Sequence, residues 1–199
     1  MIDPFLLLAP IYLLGVIALL GFVGCFTKPP FVGPAAKPFI IDQTVGTLRN
    51  DSAWFGMTIT VGPEKLEVRA LGRYFVAGNA GMHRLRIVEA AGLTDVGLTM
   101  VSMAEASVDP ADPYVYGDLA EPYPTLNPGA EYHFLSEENV SGDQFYDQDT
   151  TVRAIAQTIP DAVVKSAVYS DAPGVFVAVG AAEHSYGPVN FRYLVELND

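Results

Sequence analysis

Cysteine is nearly missing from this chain: 199 residues contain one, Cys25. No intrachain disulfide is possible and no cysteine-based zinc site can form, so packing alone must hold the fold. Histidine is scarce too. His83, His133 and His184 are the only three. Their spacing pairs none of them and no Gly-x-Ser-x-Gly elbow accompanies them, so the pattern gives no support to a histidine zinc site or a serine hydrolase. Positive charge is also short. Eleven Lys and Arg stand against 23 Asp and Glu, for a formal net charge of −12. Such a surface repels phosphate backbones, and nucleic acid is not expected as a partner.

Against these shortages stands one long apolar run, Phe5 to Phe26, without a charged side chain. It matches the roughly 20 residues a helix needs to cross a bilayer core. Residues 1–26 are therefore expected to form a single transmembrane helix. The n-region, Met1-Ile2-Asp3-Pro4, lacks the Lys or Arg of a simple signal peptide. Phe22-Val23-Gly24-Cys25 resembles a lipobox with Phe22 where Leu is usual, which leaves lipidation of Cys25 as the alternative to a retained anchor. Gly15, Ala18, Gly21 and Gly24 place small residues at helical spacings. That pattern permits close packing against integral membrane subunits. Residues 27–41, rich in proline from Thr27 to Pro38, read as a semi-rigid linker, and 42–199 as one domain.

Within the domain, short apolar and aromatic runs alternate with turn residues. Trp54–Val61, Leu66–Val76, His83–Val88, Val96–Met103, Tyr114–Leu119, Glu131–Ser136, Ala162–Tyr169 and Val189–Leu197 read as strands. Leu66, Val68 and Ala70 share one face in this reading. Gly78-Asn79, Asp109-Pro110, Asn127-Pro128-Gly129 and Ser141-Gly142 supply turns between strands. Val152–Thr158 suits a short helix or a strand. No long helical pattern interrupts the series, which predicts an all-β antiparallel sandwich, Ig-like or jelly-roll-like.

Several short motifs carry a resemblance. They are Thr44-Val45-Gly46-Thr47-Leu48-Arg49-Asn50, Trp54-Phe55-Gly56-Met57, Ala70-Leu71-Gly72-Arg73 and Gly78-Asn79-Ala80-Gly81-Met82-His83. Ser136-Glu137-Glu138, Gly142-Asp143-Gln144-Phe145-Tyr146-Asp147 and Ser185-Tyr186-Gly187-Pro188-Val189-Asn190-Phe191 complete the set. Spread over Asp42 to Tyr193, they resemble an uncharacterised class of bacterial extracellular β-sandwich domains, found as appended modules of secreted and surface proteins. The resemblance implies a β-sandwich and an exported location, and it implies no catalytic residue. Lys28 and Lys37 follow the apolar run and favour a cytoplasmic domain. The resemblance, the acidic surface and the lack of cysteine after Cys25 favour the other side. The expected placement is a single pass through the bacterial cytoplasmic membrane, with the C-terminal domain in the periplasm.

The densest polar cluster is Glu137, Glu138, Asp143, Asp147 and Asp149. Five carboxylates around a glycine-containing loop suit Ca²⁺, which takes six to eight hard oxygen ligands, although the spacing is not that of an EF-hand. A solvated acidic loop covers the same residues. No other cofactor is suggested. Tyr114, Tyr146 and Tyr186 lie in or near loops and are candidate interface aromatics, or else core side chains at the ends of a sandwich. The chain is thus expected to be a non-catalytic accessory subunit of a larger membrane complex, such as a photosynthetic reaction-centre or respiratory assembly. Its helix would lie among integral membrane subunits and lipid, and its domain against a protein partner at the periplasmic face. The alternative is a lipid-anchored surface binding module for carbohydrate or protein, with or without calcium.

Overall fold

The computed structural model describes residues 35–104, 108–139, 142–154, 158, 160–187 and 189–196. All belong to the second of two units into which the chain divides, Pro34–Asp199. The apolar run lies outside them. Among the described residues there is no helix, and so none long and apolar enough to cross a membrane.

The chain runs through β1 (Lys37–Pro38), β2 (Ile40–Thr44), β3 (Leu48–Arg49), β4 (Ala53–Val61) and β5 (Lys65–Tyr74). It continues as β6 (Met82–Glu89), β7 (Thr94–Ser102), β8 (Tyr114–Asp118), β9 (Thr125–Leu126), β10 (Glu131–Glu138) and β11 (Phe145–Tyr146). The last strands are β12 (Thr150–Ala154), β13 (Ala162–Ala172), β14 (Val175–Val179), β15 (His184–Ser185) and β16 (Val189–Glu196). Val152, ambiguous in sequence, is in a strand.

Two antiparallel sheets face each other. One has six strands in the order β14-β13-β4-β10-β6-β7; the other runs β1-β16-β5-β8, with β9 also on β5. Two smaller antiparallel sheets, β15-β12-β2 and β11-β3, accompany them. Period-two alternation supplies the core. β4 turns Met57, Ile59 and Val61 inward, β10 turns Tyr132 and Phe134, and β6 turns Leu85 and Ile87. From the opposite sheet, Leu66, Val68, Leu71, Phe191 and Tyr193 meet them. Phe191 stacks on Phe39 at 4.6 Å and on Phe134 at 4.2 Å, joining the sheets through aromatic contacts. Such pairs contribute roughly 0.5–1.5 kcal/mol each beyond burial.

Two departures from regular strands matter for the site. The register of β5 against β16 slips at Arg69: Arg192 faces Ala70 and Tyr193 faces Val68. This bulge shifts the inward face from Leu66 and Val68 to Leu71 and Arg73, so the expected Leu66–Val68–Ala70 face does not continue. The domain also starts earlier than residue 42. Lys37–Pro38 pairs with β16, and Phe39 and Ile40 are buried in the core, so residues 37–41 are part of the sheets and not of a linker.

Candidate functional site

Arg73, carried inward by the bulge, is fully buried. Its Nε donates to Glu138 Oε1 and its Nη2 to Oε2, both at 2.9 Å, and Nη2 donates again to the Gln144 carbonyl at 3.1 Å. Glu138, on the inward face of β10, also accepts from Ser136 Oγ at 2.6 Å. The pair therefore bridges the two sheets. Beside it lies His83 of β6, with Nδ1 3.0 Å from the Glu137 carbonyl and 3.3 Å from Glu138 Oε2, and Nε2 3.1 Å from Asp143 Oδ2. Asp143 accepts the backbone N–H groups of Ala80 and Gly81 at 2.8 Å each. Burial pushes the Asp143 carboxyl up, but those two amides and His83 outweigh it and hold it below the ordinary aspartate range.

The five loop carboxylates do not converge. Glu137 and Glu138 are consecutive in a strand and so project from opposite faces of the sheet. Glu137 meets Arg84 with both oxygens on the outer face, and that hydrogen bonding holds its carboxyl low. Asp143 is held by the 80–83 segment. Asp147 accepts the N–H groups of Thr47 at 3.1 Å and Asp149 at 3.2 Å, pinning the 147–150 turn to the chain before β3. A Cβ on Gly46 would sit 2.1 Å from Asp147 Oδ1, so this close approach requires glycine. Asp149 is exposed. Among the described residues, no three His, Cys, Asp or Glu gather to hold a metal ion.

The tyrosines divide. Tyr114 is buried, its hydroxyl donating to Gln43 Oε1, and burial pushes its phenol well above the usual value. Tyr186 is buried against Phe55 and Phe145. Both are enclosed by neighbouring side chains, so neither is available as an interface side chain. Tyr146 is half-buried and edge-on to Tyr74 at 5.4 Å. Gly15, Ala18, Gly21, Gly24 and Cys25 lie outside the described residues.

The outer face of the six-stranded sheet holds side chains the sequence did not single out. Glu137, Trp54 and Ser170 stand opposite one another on β10, β4 and β13. The β13–β14 hairpin folds over this face. Its Phe176 stacks on His133 at 4.4 Å, and the Gly174 turn approaches Leu93. Underneath, Val88, Leu135 and Val168 form a small separate core with Trp54 and Phe176. His133 bonds Thr58 Oγ1 at 2.9 Å, and burial lowers its pKa. Arg86 lies over the Trp54 ring at 4.0 Å. Its Nη1 reaches Asp95 at 3.5 Å, while its Nε is buried with no hydrogen-bond partner among the described residues. Burial lowers the Arg86 pKa against the pull of Asp95. A cleft of about 320 Å³ opens here, lined by Trp54, Arg86, Glu137, Ser170 and Asp171 among others.

At the sheet margin, apolar side chains face water. Leu98 is 57% exposed and Met100 53%, alternating outward on β7, and Met82 on β6 is 56% exposed. No protein-family model matches the chain, and no curated protein is significantly similar to it. The site must therefore be read from its own chemistry.

Arg73 was hidden from sequence reading because a bulge is not visible in a period-two pattern. The Trp54–Arg86 pair had a signal: one tryptophan beside a strand with Arg84 and Arg86 alternating outward. What was missing was the adjacency of those strands.

Proposed function

We propose that this chain is a non-catalytic accessory subunit of a bacterial membrane complex. Its apolar N-terminal segment is the tether, and its all-β domain, an Ig-like or jelly-roll-like sandwich, docks on an integral membrane partner at the periplasmic face. The observation that carries this reading is the exposed apolar stripe of Leu98, Met100 and Met82. Contiguous apolar surface of this kind marks protein contact sites. The occupant is the extramembrane surface of a membrane protein, because the chain itself limits the reach. Residues 27–36 lie between the apolar run and β1. Ten residues span at most about 35 Å whatever their conformation. Glu138 and His83 support the same reading, since the oxygens of Glu138 are engaged with Arg73 in joining the sheets and the ring of His83 is engaged with Asp143. The resemblance to extracellular β-sandwich modules supports the exported location.

The test uses the full chain with Leu98→Glu and Met100→Glu together, extracted from native membranes in mild detergent and captured by affinity. The parent should bring down a defined, stoichiometric set of integral membrane proteins with Met1 retained, and the variant should lose that set while keeping its β-sheet circular dichroism. Equal recovery by the variant would overturn docking through this face. Recovery of the parent alone, as an acylated chain beginning at Cys25, would overturn the subunit reading in favour of the lipid-anchored binding module.

A further inference from the structure

We infer that Met82 and Met100 form a redox-sensitive modification site, two thioethers whose oxidation to sulfoxides decides whether the chain can dock. The inference rests on the docking stripe proposed above and names how that stripe is regulated. It starts from exposure. Of the chain's methionines, Met57 and Met103 are buried in the main core between the sheets. Met82 and Met100 are each more than half exposed, and Met1 lies outside the described residues. The register of β6 against β7 sets Met82 opposite Ser102 and Arg84 opposite Met100, so the two methionines are diagonal neighbours on one face. Leu98, opposite Arg86, continues that face. An oxidant arriving from water therefore meets these two sulfurs, side by side on the stripe, before it meets those of the core.

No thiol in the domain intercepts the oxidant, because Cys25 is the only cysteine and precedes it. The thioethers are the soft, polarizable groups that remain. The step is a two-electron oxidation by hydrogen peroxide. A sulfur lone pair attacks one peroxide oxygen, the O–O bond breaks and an S–O bond forms. The proton on the transferred oxygen passes to the departing hydroxide, which leaves as water. The thioether is oxidised and the peroxide reduced. The product is polar where the parent was apolar. Burying its oxygen against an apolar partner surface without a donor is costly. Docking covers both sulfurs, whereas an undocked chain presents them. Docking and oxidation therefore compete, and an oxidised chain is excluded from assembly until a methionine sulfoxide reductase restores it.

The test uses the full chain, purified in mild detergent and treated with dilute hydrogen peroxide, which catalase then removes. Peptide mass spectrometry follows each methionine with time. Met82 and Met100 should each gain one oxygen atom about tenfold faster than Met57 and Met103. Untreated, oxidised, and oxidised then reductase-repaired chains are each mixed with solubilised membranes from cells lacking the chain, and captured by affinity. Oxidation should lower recovery of the membrane set about tenfold, and repair should restore it. Circular dichroism of the oxidised chain should match that of the untreated one. Oxidation of Met57 or Met103 as fast as the exposed pair would overturn the site's selectivity and the inference with it. Undiminished capture by the oxidised chain, or a loss that repair does not reverse, would overturn it while leaving the docking reading in place. No capture by the untreated chain would overturn the docking reading itself, and the switch with it.

Discussion

The Arg73–Glu138 pair offers the sharpest test of what holds the two sheets together. Both side chains are fully buried, and the guanidinium meets the carboxylate with two parallel hydrogen bonds of 2.9 Å. Glu138→Leu would leave the Arg73 cation sealed from water, with the Gln144 and Tyr74 carbonyls as its remaining acceptors among the described residues. Removing one partner of such a pair costs about 3–5 kcal/mol, because the other charge stays buried and uncompensated. Arg73→Met should cost a similar amount, by stranding Glu138 beside Ser136 and His83. For a domain of this size either loss corresponds to a fall in Tm of roughly 10 °C. The double variant Arg73→Met/Glu138→Leu removes both charges and fills the space with apolar atoms, so it should be more stable than either single variant. Thermal and urea unfolding, followed through Trp54 emission and circular dichroism, would measure all four corners of the cycle. If the double variant loses the sum of the two singles, the pair is not coupled and the account of the bridge is wrong.

Three further outcomes follow from local geometry. Asp143 has a lowered folded-state pKa, so its contribution is present above the unfolded aspartate value of about 3.9 and is lost as pH falls through the folded value. In a pH series of urea unfolding, Asp143→Asn should be less stable than the parent near neutrality and show a shallower loss below about pH 4. Gly56→Ala places a Cβ 1.8 Å from the Phe134 carbonyl on the neighbouring strand, so β4 and β10 must part; the variant should be recovered unfolded or with a loss exceeding about 3 kcal/mol. Leu93 holds φ at +52° in the β6–β7 turn, and Leu93→Gly should raise stability in urea unfolding by about 1 kcal/mol through relief of that strain.

The strands were largely legible because their period is two and their ends carry turn chemistry. His83, Leu85 and Ile87 alternate inward with Arg84 and Arg86 outward, as the pattern predicts. Three things were not legible, each for a physical reason. A bulge at Arg69 shifts the phase of β5 by one residue, and only the partner strand reveals it. Proline at positions 34 and 38 reads as linker, yet Pro38 sits on β1 at a sheet edge, where a missing N–H is tolerated. The outer-face cleft is assembled from β4, β6, β10 and β13, whose order in the sheet follows from long-range pairing that no local pattern encodes. The acidic cluster shows the opposite hazard. Its five residues are close in sequence, but strand alternation and separate backbone partners send them to different places.

That dispersal bears directly on calcium. A Ca²⁺ ion needs six to eight oxygens on one centre. Here Glu138 is committed to Arg73 inside the sandwich, and Glu137 to Arg84 on the opposite face. Asp143 holds the Ala80 and Gly81 amides, and Asp147 holds those of Thr47 and Asp149. To gather three of these carboxylates, an ion would have to break the inter-sheet bridge or release the turns before β6 and β3. Binding would then be coupled to partial unfolding, and would lower affinity rather than add stability. Calcium chloride should accordingly shift the Tm of the full chain no more than sodium chloride of equal ionic strength. A calcium-specific rise of several degrees, abolished by Asp149→Asn, would show that the loop can gather its carboxylates, and that the pairings described for Asp143 and Asp147 give way to the ion.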